Sequence, residues 1–302
     1  MNDLRILFII NPKSGHHQKL NINDIITNHA EKFGYELSAY LMLDEHHPTE
    51  INKLIQLHQP KIIVAIGGDG TINLVADIIK GKEIALLIVP FGSANGMAKE
   101  LNISENLEDC LNLIFEGKTV TIDLLKVNDD ICVHLTDIGF NAKIVYRFQM
   151  DKNRGFIIYA KHFFLQLFTI KRRKFLIHYE NQIKKVTAIA LTFANANKYG
   201  IGAVINPDGK LNDGWFEICI IKPFPRWKIF SIAYQMFKGT LKASSYYEVI
   251  KCQKAMVFCN KESLLQIDGE ISGRIKTIKL TCLPKALKVI IPANLHHPSI
   301  VD

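Results

Sequence analysis

Ile62-Ile63-Val64-Ala65-Ile66-Gly67-Gly68-Asp69-Gly70-Thr71-Ile72-Asn73-Leu74-Val75 reads as an apolar strand that ends in a glycine-bearing turn and opens a helix. The unbroken apolar run from Ile62 to Ile66 suits a strand buried on both faces, as in parallel sheets. Glycines in the turn let a backbone approach a phosphate closely, and the amides at the helix start favour negative charge. An acidic side chain in such a loop, Asp69, would repel the same ligand unless a cation lay between them, which points to Mg2+. Read locally, Asp69 also serves as the cap of a tight strand-to-helix turn, and both readings stand at this stage.

Two further loops have the same character. Asn11-Pro12-Lys13-Ser14-Gly15 follows a strand over Leu4 to Ile10, and Pro90-Phe91-Gly92-Ser93-Ala94-Asn95 follows a strand over Ala85 to Val89 and precedes a helix. Taken singly, each is also an ordinary turn. With a strand over Leu37 to Leu43, the region up to about Asp123 alternates strands with segments of helical period, which predicts a parallel sheet covered by helices. Ligands of such sheets bind at the carboxyl ends of the strands, where the three loops would converge on a nucleotide polyphosphate. The G-x-x-x-x-G-K-[ST] phosphate loop is absent, so an ordinary P-loop ATPase is excluded.

After about Leu124 the pattern turns to β-branched and aromatic runs: Ile131 to Leu135, Phe175 to Tyr179, Val186 to Phe193, Trp215 to Ile221 and Ala255 to Phe258. A mainly antiparallel β domain is expected, interrupted by helical spacing over Gly155 to Ile170 and Arg226 to Phe237. The expected boundaries are 1–124 for an α/β nucleotide-binding domain, 125–285 for a β domain taking the substrate, and 286–302 for a strand and tail that return to either sheet.

The 302 residues are 48% apolar and 22% charged, values of a folded chain able to bury two cores. No apolar run reaches the roughly 20 residues of a membrane span, and the start lacks the pattern of a signal peptide, so a cytoplasmic protein is expected. The six cysteines are scattered in apolar segments without a C-x-x-C pair and read as buried free thiols. A net charge of +8 favours anionic partners without choosing among them. The basic residues show no aromatic interleaving, so no nucleic-acid partner is expected. The pairs His16-His17, His46-His47 and His296-His297 lack ligand spacing and read as solvated loop residues.

In this order, the three loops resemble the diacylglycerol kinase catalytic domain shared by bacterial lipid kinases and sphingosine kinases. Gly139-Phe140-Asn141-Ala142 and Asp268-Gly269-Glu270 extend the resemblance over nearly the whole chain. It implies an α/β N-terminal nucleotide-binding domain of the NAD kinase and diacylglycerol kinase type, a C-terminal antiparallel β-sandwich domain, and an active site between them. Carried over, Gly67, Gly68, Asp69, Gly70, Thr71, Ile72, Asn73, Ser93 and Asn95 would bind ATP, with Asn11 and Ser14 near its phosphates. Asp69 would serve catalysis through Mg2+. Asp268 would be the general base, with Glu270 beside it, because a lipid hydroxyl needs a proton acceptor as the phosphoryl group moves. Without the family, Asp268-Gly269-Glu270 reads as a hairpin turn after Leu264 to Ile267. The stretch Pro207 to Ile218 resembles a family loop that holds a structural magnesium through Asp213 and the carbonyls of Lys210 and Trp215; Asp213-Gly214 reads equally as a turn.

The resemblance makes ATP and Mg2+ the expected cofactors and a lipid the expected substrate. Diacylglycerol comes first and a sphingoid base or another glycerolipid second, with a homodimer among the expected assemblies. The apolar face of Phe156 to Ile170, followed by Lys171-Arg172-Arg173-Lys174, would rest on an anionic membrane or equally form a core helix. Two positions depart from the family: Gly96, where bacterial diacylglycerol kinases usually carry Asp and sphingosine-kinase-like members do not, and Asn141, where the family often has Asp. An NAD kinase relative and an inactive nucleotide- or lipid-binding protein are the other readings; the first lacks its Asn-Glu pair, and Asp69 and Asp268 speak against the second.

Overall fold

The computed structural model describes residues 4–14, 21–43, 47–139, 142–143, 171–200, 202–294, 297 and 299–301. The chain divides into two compact units, 1–122 with 285–297 and 123–284 with 298–302. The helical segment expected over Gly155 to Ile170 and the residues Phe140 and Asn141 lie outside the described residues.

The first unit alternates β1 (Arg5–Ile10), α1 (Ile22–Phe33), β2 (Glu36–Leu41), α2 (His47–His58), β3 (Ile62–Gly67), α3 (Asp69–Ile79), β4 (Ala85–Pro90), α4 (Gly96–Glu100) and α5 (Leu107–Glu116). Its strands pair in parallel in the order β2-β1-β3-β4, and the end of the last strand, β14 (Glu270–Pro292), completes the sheet by pairing Lys288 with Ala85 and Val289 with Leu86. The run Ala286 to Ile291 therefore returns to the first sheet. Every residue of β3 and β4 is buried, as expected of strands covered on both faces, whereas the edge strand β2 has only half-buried and exposed positions. Local signals fix the helix ends. Gly34 closes α1 in the left-handed conformation, and Asn106 caps α5 by accepting the amides of Glu108 and Asp109.

β5 (Gly117–Val127) begins in the first unit and ends in the second, where Leu125 to Val127 form a hairpin with β6 (Asp130–Cys132). They are followed by β7 (Leu135–Gly139), β8 (Arg173–Tyr179), β9 (Gln182–Ala188), β10 (Ala190–Ala194), β11 (Phe216–Ile221), α6 (Ile229–Lys238), β12 (Tyr247–Cys252) and β13 (Lys254–Ile267). The strand order is β12-β11-β10-β7-β13-β14, antiparallel throughout, with the β8–β9 hairpin added along β13. Its main core gathers Phe193, Phe216, Ile218, Val257 and Ile278, and a second cluster forms where Ile229 and Ile232 of α6 meet Phe224 and Tyr247.

Two strand expectations divide. Ile131 to Leu135 breaks at Val133 and His134, and Val186 to Phe193 breaks at Ile189. All six cysteines are buried and free. His297 is 5% exposed with Nε2 3.4 Å from the Pro292 carbonyl, so it is a buried residue and not a solvated one. No helix among the described residues is long and apolar enough to cross a membrane.

Candidate functional site

In the first unit, the three loops at the carboxyl ends of β1, β3 and β4 are stitched to one another. The Asn11 amide donates to the Ile66 carbonyl at 2.9 Å, and Asn11 Nδ2 donates to Thr71 Oγ1 at 3.0 Å, tying the first loop to the second. The Phe91 amide donates to the Gly67 carbonyl at 2.8 Å, and the Gly96 amide to Asp69 Oδ1 at 2.7 Å, tying the second to the third. Asn95, in the left-handed conformation at φ 51°, folds back so that its Oδ1 accepts the Gly92 amide and its Nδ2 donates to the Gly92 carbonyl.

Glycine is obligatory where the loops meet. A Cβ on Gly92 would lie 2.5 Å from the Gly68 Cα and 2.8 Å from Asn95 Oδ1, and one on Gly67 would lie 2.4 Å from Thr71 Oγ1. Gly92→Ala is therefore expected to push two backbones apart and lower stability by about 1–3 kcal/mol. Denaturant unfolding checks this; an unchanged midpoint would mean that the two loops do not touch.

These contacts divide the residues singled out in the sequence. Thr71 and Ile72 are buried, and their amides already donate to the Gly68 carbonyl at 3.0 and 3.1 Å, which starts α3. Ile72 thus packs in the core, and Thr71 and Asn11 hold the loops in place. Ser93 is exposed, Ser14, Gly68, Asp69, Gly70 and Asn73 are half-buried, and Asp69 is the one carboxylate in the three loops. Where the family resemblance predicts an Asp, the main chain of Gly96 takes hold of Asp69 directly.

In the second unit, Asp268 and Gly269 form the β13–β14 turn, both at positive φ (47° and 85°), with Ile267 paired to Glu270. The hairpin reading of these residues is therefore correct. Asp268 is buried and also a hub. Its Oδ1 accepts the amides of His134 (2.9 Å) and Leu135 (3.0 Å) and the Cys132 thiol (3.1 Å), and its Oδ2 accepts the Val133 amide (2.7 Å). Burial first, then the charge of Asp268, holds Cys132 protonated well above the usual thiol range. Glu270 is exposed. Behind the turn lies a buried network absent from the sequence reading. Gln266 receives the Gly269 amide and donates to Asp137 (2.5 Å), which also accepts from Tyr199 (2.9 Å) and Thr192.

The Asp213 region is arranged around the ammonium of an exposed lysine. Lys251 Nζ lies 2.5 Å from Asp213 Oδ2 and 3.6 Å from Glu217, and Asp213 Oδ1 accepts the Trp215 amide at 3.1 Å. The carboxylate that a structural metal would use is engaged by an ammonium in this arrangement, and the Lys210 and Trp215 carbonyls carry no step here. Burial pulls Lys251 down, but the hydrogen bond and charge of Asp213 outweigh it and leave Lys251 raised. Asp123, missed in the sequence, secures the same loop: it is fully buried, its Oδ2 accepts the Gly214 amide at 2.6 Å, and its own amide donates to the Leu211 carbonyl. An acidic residue inside the apolar strand Ile122 to Leu125 was the available signal.

Burial also raises Glu217, against the opposing hydrogen bond from Asn206 and the charge of Lys251. A carboxyl group raised in the folded state favours folding below its unfolded value and loses that contribution as pH rises through the folded value. Glu217→Gln is thus expected to gain stability relative to the wild type between about pH 4 and about pH 8. Unfolding curves at the two pH values measure this, and a variant that loses stability relative to the wild type as pH rises contradicts it.

The family model described as "Diacylglycerol kinase catalytic domain" matches residues 5–127, and that described as "YegS C-terminal NAD kinase beta sandwich-like domain" matches residues 137–291. A Staphylococcus aureus protein named diacylglycerol kinase is 25% identical over 99% of this chain and 96% of its own length. A Klebsiella pneumoniae protein named "Probable lipid kinase YegS-like" is 28% identical over 81% of this chain and 82% of its own. Among solved structures, a diacylglycerol kinase from Bacillus anthracis superposes with a TM-score of 0.75 at 18% identity, covering 98% of this chain and all of the other.

Proposed function

The chain belongs to the family that joins a diacylglycerol kinase catalytic domain to a YegS-type β-sandwich domain, the lipid kinases, and we propose that it moves the γ-phosphoryl group of Mg-ATP onto the hydroxyl of diacylglycerol. The observation that carries the reading is the glycine-to-glycine contact of the loops after β3 and β4, with Asp69 held against it by the Gly96 amide. Such a bare backbone surface at the end of a parallel sheet suits a polyphosphate.

On the nucleotide side we assign Asn11, Ser14, Gly67, Gly68, Asp69, Gly70, Thr71, Asn73, Ser93 and Asn95, with Asn11, Thr71 and Asn95 setting loop shape. Among the described residues no cluster of three His, Cys, Asp or Glu side chains could hold a metal. That is consistent with Mg2+, which usually takes one or two carboxylates and fills its shell with phosphate oxygens and water, so Asp69 fits as its protein ligand. When bound, the ion neutralises charge on the transferring group.

The acceptor's proton is assigned to the Asp268-Gly269-Glu270 turn. The Val133, His134 and Leu135 amides fix the Asp268 carboxylate in one orientation, and Glu270 stands beside it on the exposed side.

The test is transfer from labelled Mg-ATP to diacylglycerol, sphingosine and NAD presented separately. Label in phosphatidate alone is the expected result. Label in sphingosine or NAD moves the acceptor to that class, and ATP binding with no labelled acceptor sinks the kinase reading.

A further inference from the structure

The segment from Phe224 to Leu241 has an unusual distribution of side chains about its axis. On the inner face of α6, Ile229 and Ile232 are buried against Phe224 and Tyr247. The outer face carries Phe230, Tyr234 and Phe237, continued by Trp227 in the 3-10 turn Arg226–Lys228 that leads into α6, and the exposures of Trp227, Phe230, Tyr234 and Phe237 are 69, 67, 64 and 53%. Their spacing of three, four and three residues places them in one line along the helix. Four large aromatic rings in a continuous exposed row exceed the scattered apolar residues of an ordinary surface.

The charges around the row have one sign. Between Glu217 and Glu248 the sequence contains no acidic residue, while Lys222, Arg226, Lys228, Lys238 and Lys242 are basic. Lys222 pairs with Glu248 and Lys242 with Asp208. Arg226, Lys228 and Lys238 flank the two ends of the row, and the Lys228 ammonium lies 4.6 Å over the Trp227 ring.

We propose that this face of α6 is the surface by which the protein docks on an anionic lipid bilayer, with the four rings in the headgroup boundary and Arg226, Lys228 and Lys238 on the lipid phosphates. Exposed aromatic rows with basic flanks match the chemistry of a membrane interface, where Trp and Tyr are favoured and negative lipids attract Lys and Arg. A second copy of this chain fits poorly. A two-fold contact across the row would bring the two cationic flanks together with no carboxylate in the segment to offset them. The proposal rests on the lipid-kinase reading only in expecting the acceptor to lie in a bilayer.

The experiment compares sedimentation with vesicles of phosphatidylcholine alone and of phosphatidylcholine with equal phosphatidylglycerol, using the full chain. Alongside the wild type stand Phe230→Ser/Phe237→Ser and Arg226→Gln/Lys228→Gln/Lys238→Gln, each also assayed for phosphorylation of a short-chain diacylglycerol in solution and for elution volume. The wild type is expected to bind the anionic vesicles. The phenylalanine variant should bind at least about tenfold more weakly, the charge variant should lose its preference for phosphatidylglycerol, and both should keep activity on the soluble lipid. Unchanged vesicle binding by the phenylalanine variant overturns the proposal, and so does a wild-type dimer that becomes a monomer in that variant, which would give the face to a second copy. If no lipid is phosphorylated but vesicle binding depends on these rings, the docking surface stands and the kinase reading falls; phosphorylation with ring-independent binding is the reverse.

Discussion

Asp69→Asn is expected to lower phosphoryl transfer by about 100- to 1,000-fold while leaving the fold intact. The substitution keeps an oxygen to accept the Gly96 amide, now at 2.7 Å from Oδ1, and it keeps the size of the side chain at the start of α3. It removes only the charge. The cap reading of Asp69 does not hold: Gly68 is the N-cap of α3, no side chain caps that helix, and the Asp69 carboxylate turns to the Gly96 amide instead. If Asp69 only tied the third loop in this way, Asn would serve as well, so kcat for lipid phosphorylation measured beside the thermal midpoint separates the two roles. Retained kcat makes Asp69 a loop tie; lost kcat with an unchanged midpoint makes it the residue that brings magnesium to the phosphates.

Asp268→Ala has the largest expected effect on stability, about 3–5 kcal/mol. Three main-chain amides and a thiol converge on this buried carboxylate, and alanine leaves the Val133, His134 and Leu135 donors without their acceptor. Each unsatisfied buried amide costs about 1–3 kcal/mol, partly recovered where water enters. Activity should vanish as well, but that loss alone could come from the damaged turn. Glu270→Gln supplies the contrast, because Glu270 is exposed and its replacement should spare stability. Urea unfolding of both variants decides the point, and an Asp268→Ala protein within about 1 kcal/mol of the wild type would remove Asp268 as the clasp of this turn.

Much of the first unit was legible because its signals are local. Ile62 to Ile66 and Ala85 to Val89 lie in strands to within a residue or two, since both runs are fully buried and end at glycine or proline. The loop residues were legible as a set, but not their division of labour. Nothing in the sequence distance between Asn11 and Thr71, or between Asp69 and Gly96, says that they touch. The misses in the second unit have one cause, long-range polar contacts overriding a local pattern. Ile131 to Leu135 looks like one strand, yet its middle turns its amides toward Asp268, more than 130 residues later. Likewise nothing local to Asp213 shows that Lys251, 38 residues later, stands beside it. Asp123, Asp137 and Gln266 belong to the same class, buried polar residues with partners far along the chain.

The pairing of Lys288 and Val289 with β4 sets an order on biosynthesis. The strand that covers this edge is translated roughly 200 residues after β4, so at ordinary ribosomal rates the edge waits about 10–40 s for its partner. During that interval the nascent chain presents Ala85 to Pro90, entirely apolar, with one row of backbone groups unmatched. Chains that stop early, or lose their last strand to proteolysis, would keep this adhesive border permanently and become clients of chaperones or seeds of aggregates.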